Sequence, residues 1–120
     1  MSTGAIEGQL AINGRGLVSL SEQNLIDCTF SYKNKGCNRG VMDYAFNYIH
    51  DYGIESEQDY PYEGSDDTCK FNESLSVTKI SGYRHIPEGD ELALQKAVDQ
   101  IGPISAGIHA TNVFKYYTGG

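Results

Sequence analysis

Apolar residues recur at helical spacing in three long stretches and alternate in one short one, and these patterns lay out most of the expected structure. Ala5, Ile6, Leu10 and Ile12 fall loosely at helical intervals and stop at Asn13-Gly14-Arg15-Gly16, a run of turn formers. Only Ser2 and Thr3 are available as caps, so this helix is expected to start upstream of Met1. A short second helix is expected over Glu22-Gln23-Asn24-Leu25-Ile26. Ser19 stands three residues before Glu22, the spacing of a capping box, and Ser21 competes as the cap. Val41, Tyr44, Ala45, Tyr48 and Ile49 form a single apolar stripe, which predicts a third helix opening near Gly40 and stopping at Gly53.

The pattern then changes. Asp59-Tyr60-Pro61-Tyr62-Glu63-Gly64 reads as an aromatic turn, because Pro61 cannot continue a helix. Leu75-Ser76-Val77-Thr78-Lys79-Ile80 alternates apolar and polar side chains and, with Tyr83 and Ile86 beyond it, predicts a strand. Leu92, Leu94, Ala97, Val98 and Ile101 predict a fourth helix from about Asp90 to Ile101, ended by Gly102-Pro103. Ile104-Ser105-Ala106-Gly107-Ile108 predicts a second strand. Helices before Gly53 and extended segments after Leu75 imply an α+β fold in two subdomains.

Composition narrows the function classes. A chain of 120 residues can bury one core, and no apolar run approaches the roughly 18 residues of a membrane span. The net charge of −7 and the scattered basic residues argue against nucleic acid. Met1-Ser2-Thr3-Gly4 has neither a basic leader nor an apolar stretch, so no signal peptide is expected here. The three cysteines, Cys28, Cys37 and Cys69, leave an odd thiol once one disulfide forms. No metal or other cofactor is expected, because Cys28 and Cys37 are too far apart for a zinc pair and no histidine stands near either. Asn72-Glu73-Ser74 is an N-glycosylation sequon, which fits a secretory route.

Gly4-Ala5-Ile6-Glu7-Gly8-Gln9, followed by Leu20-Ser21-Glu22-Gln23-Asn24-Leu25-Ile26-Asp27-Cys28, resembles the papain family of cysteine endopeptidases, in its cathepsin L-like branch. Gly36-Cys37-Asn38-Arg39-Gly40-Val41-Met42-Asp43-Tyr44-Ala45-Phe46, Tyr60-Pro61-Tyr62 and Gly102-Pro103-Ile104-Ser105 match in the same order. The resemblance implies a partial papain-like fold, with a helical left-hand subdomain over about 1–80 and the start of the β-rich subdomain over about 81–120. It also implies proteolysis by a thiolate, with an imidazole as proton shuttle and hydrogen-bond donors for the oxyanion.

The family's Cys-Gly-Ser/Ala-Cys-Trp/Tyr signature and its distant histidine do not occur in these residues. No catalytic residue is therefore assigned, and the chain is expected to be an inactive internal fragment of an endopeptidase. The alternative is a non-catalytic relative that binds peptides or acts as an inhibitor. The resemblance pairs Cys28 with Cys69 and leaves Cys37 unpaired. A nucleophilic Cys37 with His50 or His85 as base is disfavoured, since no oxyanion donors can be argued around it. His109 falls short of the family's histidine position, and His50 suits a helix C-terminus.

Arg39, Gly40, Val41, Met42, Ala106 and Gly107 match the family's substrate-binding positions, and Val41, Met42 and Gly107 would form an apolar second pocket. Arg39 stands where the family usually has glycine, which narrows the cleft edge. The partners implied are protein or peptide substrates, with a propeptide or cystatin-type inhibitor. The location implied is lysosomal or extracellular.

Overall fold

A computed structural model describes residues 1–120. Helix α1 (Ser2–Ile12) is followed by α2 (Glu22–Cys28), a 3-10 turn at Phe30–Tyr32, and α3 (Met42–Asp51). Strands β1 (Ile54–Glu55) and β2 (Ser76–Thr78) then pair antiparallel, with Ile54 opposite Thr78, Glu55 opposite Ser76 and a bulge between the two pairs. Helix α4 (Glu91–Gln100) and a last short helix, α5 (Asn112–Lys115), complete the order. The mixture is α+β, with a small sheet beside a helical core.

Local chemistry explains the helix starts. The Ser21 side chain accepts a hydrogen bond from the Asn24 N–H at 2.9 Å and caps α2, whereas Ser19 uses only its carbonyl, which accepts from Glu57 N at 2.9 Å. The Asp90 carboxylate caps α4 by accepting from Ala93 N at 2.9 Å. Lys33 adopts the left-handed conformation at φ 72° and turns the chain out of the 3-10 turn.

The core forms where α1, α2, α3 and β1 meet. Ile6 and Leu10 pack with Leu20, Cys28, Tyr48, Ile49, Ile54 and Tyr60, and the Cys28–Cys69 disulfide ties the long loop after β1 to this cluster. Side chains of α2 hold the rest of that loop. The Gln23 amide donates to Ser65 O and accepts from Glu63 N, and the Asp27 carboxylate accepts from Tyr60 Oη at 2.6 Å and from Asp67 N at 3.0 Å. Lys70 N donates to the same Tyr60 oxygen at 3.1 Å. Residues 61–70 are exposed throughout, so polar contacts with α2 and one disulfide order them without apolar burial.

Three expectations from the sequence are corrected. The strand is shorter than Leu75–Ile80: Leu75 belongs to a 3-10 turn over Glu73–Leu75, and only Ser76–Thr78 finds a partner, since β1 is two residues long. Ile104–Ile108 makes no ladder hydrogen bonds, because no strand edge lies beside it. Val41 is the residue before α3 rather than part of its buried stripe and is 45% exposed, while Ala45, Tyr48 and Ile49 carry the burial.

Candidate substrate cleft

The loop before α3 is rigid for identifiable reasons. Asn34 is buried and works in two directions: its amide N–H donates to Thr29 Oγ1 at 3.1 Å, and its carbonyl oxygen accepts from Val41 N at 2.7 Å. Lys35 N donates to Arg39 O at 2.9 Å, closing a tight turn around Cys37. A side chain at Gly40 would press against the Asn34 amide, with Cβ 3.2 Å from its oxygen, so glycine allows that close approach. Gly36 has φ 53°, and a Cβ there would collide with the Asp66 carboxylate. That carboxylate accepts from Cys37 N at 2.6 Å.

From this loop α3 runs along one side of a groove of about 500 Å³. Met42, Asp43 and Phe46 line it from α3, Tyr83 to Ile86 line it from the segment after β2, and Ser105, Ala106 and Gly107 line the opposite side. Phe46 and Tyr83 stack with ring centroids 5.5 Å apart. At the rim, His85 Nε2 meets Asp43 Oδ2 at 3.0 Å, joining the segment after β2 to the first turn of α3. An added Cβ on Gly107 would meet nothing within 4 Å, so this wall has room beside it.

Of the six substrate-binding positions read from the sequence, the structure brings Met42, Ala106 and Gly107 together around this groove. Arg39, Gly40 and Val41 are exposed on the preceding loop and do not line it. Phe46, Tyr83 and His85 also line the groove, although the sequence marks none of them as substrate-binding: it places Tyr83 on the extension of a strand and offers His85 only as a disfavoured base for Cys37. A second groove of about 920 Å³ lies between α1 and the chain around Ile80, Tyr83 and Ile104. Across it the Gln9 side chain donates to Ile101 O at 2.8 Å.

No sulfur is paired with an imidazole. Cys28 is in the disulfide, and Cys37 is free and exposed. The Asp66 carboxylate pushes the Cys37 thiol above its ordinary pKa, chiefly through a hydrogen bond, which disfavours the thiolate a nucleophile needs. His50 pairs with Asp51, and His85 with Asp43. The neighbouring Tyr32 hydroxyl also donates to Asp51, which holds that carboxyl below its usual range. No group of three or more His, Cys, Asp or Glu side chains is arranged to hold a metal ion.

Residues 1–120 match the papain family cysteine proteases along their whole length. This chain belongs to that family. A cathepsin L-like peptidase of Aedes aegypti is 52% identical over 99% of this chain, and procathepsin L of Mus musculus is 43% identical over the same share. Among solved structures, digestive procathepsin L2 of Tenebrio molitor larval midgut superposes on 99% of the chain with a TM-score of 0.92 and 38% identity. Procathepsin L 3 of the same source is 60% identical over 83% of the chain, with a TM-score of 0.81. The chain spans only 36% of the Aedes and Mus relatives and 38% of the procathepsin L2 chain, so it corresponds to about a third of a papain-family protease.

Proposed function

We propose that these residues form the part of the substrate-cleft wall that lies along the chain between nucleophile and base in a cathepsin L-like cysteine endopeptidase. Met42, Ala106 and Gly107 would receive a bulky apolar side chain at the second residue before the scissile bond, with Arg39, Gly40 and Val41 along the cleft edge. The observation that carries this reading is the likeness to procathepsin L2 along nearly the whole chain. The groove beside Met42 and Gly107, with its Phe46 and Tyr83 rings, supplies the apolar surface such a side chain needs.

Peptide hydrolysis by a cysteine protease requires a thiolate and an imidazole brought together, and the contacts of Cys28, Cys37, His50 and His85 leave no such pair. In a protein of the relatives' length, both groups would come from chain outside these 120 residues. The remaining partners and the location follow the same reading: protein substrates, a propeptide or a cystatin-type inhibitor, and a lysosomal or extracellular setting. Exposed Arg39, which stands where the family usually has glycine and narrows the cleft edge against an extended substrate, favours a second reading, a non-catalytic homologue acting as a binding or inhibitory module.

Both readings are tested with a fluorogenic peptide bearing a hydrophobic second-position residue. A protein of the relatives' length that contains this segment is expected to hydrolyse it. Gly107→Phe in that protein should lower kcat/KM by about tenfold or more, since it fills the groove. The 120-residue chain alone should give no turnover. Absence of hydrolysis by the longer protein favours the binding homologue, and Cys37-dependent turnover by the 120-residue chain would refute both readings.

A further inference from the structure

The sequon at Asn72 lies outside everything the cleft uses. It is the only place in the chain where an asparagine is followed two positions later by serine or threonine. The structure presents it in a form that an enzyme can reach. Asn72 is exposed, as are Glu73, Ser74 and Leu75 after it and residues 61–70 before it.

The backbone at this point is fixed while the nitrogen of the side-chain amide is free. Asn72 N donates to the buried carboxylate of Glu55 at 3.1 Å, which anchors the turn to β1. The Asn72 side-chain oxygen accepts from Ser74 N at 3.1 Å and from the Ser74 hydroxyl at 2.7 Å. The amide nitrogen makes no hydrogen bond within the protein. The reacting nitrogen is therefore unoccupied, and the hydroxyl the sequon requires is in contact with the same amide.

Two independent observations fit a modified asparagine. The Cys28–Cys69 disulfide belongs to an oxidising compartment, where this glycosylation also occurs. No residue from 70 to 77 lines the groove beside α3 or the one beside α1, so a glycan here would leave both open.

We infer that Asn72 carries an N-linked glycan. The donor is an oligosaccharide attached through its reducing-end sugar to a lipid pyrophosphate. The Asn72 Nδ2–C1 bond forms, the C1–O bond to the pyrophosphate breaks, the lipid pyrophosphate leaves with the electron pair, and the amide nitrogen gives up one proton. No oxidant or reductant enters. A bulky hydrophilic group on this face shields the loop between β1 and β2, including exposed Leu75, from protein contact.

The test uses the protein isolated from its natural source. Cleavage after Lys70 and Lys79 releases Phe71–Lys79, in which Asn72 is the only asparagine. Treatment with an amide-cleaving glycosidase in ¹⁸O-water should convert Asn72 to labelled Asp, and omission of the glycosidase should leave no free peptide of the unmodified mass. In a eukaryotic secretory host, Asn72→Gln and Glu73→Pro should each remove one glycan from the secreted protein, while Ser74→Thr should keep it. Because Ser74→Thr retains the hydroxyl and the turn, it separates loss of the sequon from loss of the fold. Unmodified Asn72 in all of the natural protein would overturn the inference. Mapping Cys28–Cys69 in the same sample then tells whether the failure is local to Asn72 or lies in the compartment.

Discussion

Residues 2–60 contain all 19 of the molecule's buried residues, whereas residues 81–120 contain none. Both regions have strong helix signals. In the first, α3 turns Ala45, Tyr48 and Ile49 into a core shared with α1, α2 and β1. In the second, α4 forms behind its Asp90 cap, yet Leu92 remains 59% and Val98 51% exposed. The later region is attached to the earlier one through Gln9 to Ile101 O, Ser105 to Met1 O, His85 to Asp43, and the Phe46–Tyr83 stack. A cap and a periodic pattern suffice to define a helix, but only packing against other elements gives it stability. The groove by Met42 and Gly107 lies between these two regions, so its shape depends on the few contacts that join them.

The comparison can be broken most forcefully at the disulfide. Cys69→Ser opens a link that spans 41 positions and should cost about 4 kcal/mol in the chain-entropy account, measured by urea unfolding. A loss below about 1 kcal/mol would mean that the α2 contacts to Ser65 and Asp67 order the loop unaided. Next, Ile49→Ala should destabilise the protein by about 3 kcal/mol, because Ile49 is fully buried. Val98→Ala should change stability by no more than about 0.5 kcal/mol. Equal effects at the two positions would erase the distinction drawn between α3 and α4.

A smaller effect sharpens the picture within the packed region. One oxygen of Glu57 is buried without a hydrogen-bond partner, and burial followed by repulsion from Glu22 raises this carboxyl above its ordinary pKa. The folded state therefore holds the proton more tightly than the unfolded state. This group's contribution is most favourable at low pH and is lost as pH rises from the unfolded carboxyl's value through the folded one. Glu57→Gln should raise the melting temperature at pH 7 and give little gain at pH 3. A gain of the same size at both pH values would show that ionisation of Glu57 is not the cause.

How much of this was legible in the sequence depended on the range of the interaction. The Ser21 cap, the apolar spacing in α3 and α4 and the order of family motifs are local signals, and the structure contains the helices they predict. The two-residue β1 carries no pattern of its own, since its place is set by pairing with Ser76–Thr78. The hold of Gln23 and Asp27 on residues 63–67 joins side chains to backbone about 40 positions away, which no window of sequence reveals. The expected strand at Ile104–Ile108 failed for the converse reason: a short segment rich in small residues after the Gly102-Pro103 stop was readable, but a strand exists only beside a partner. In the groove, Met42, Ala106 and Gly107 were reached through family resemblance. Phe46, Tyr83 and His85 belong to the groove only because the chain after β2 lies against α3, a long-range contact that no local pattern carries.

Native-state hydrogen exchange tests most directly the claim that one core within residues 2–60 carries this fold and that the far wall of the groove depends on it. The α3 amides of Tyr48 and Ile49 should exchange on the order of 100-fold more slowly than α4 amides such as Val98, whose helix opens locally without exposing any core. Protection of α4 equal to that of α3 would contradict the claim.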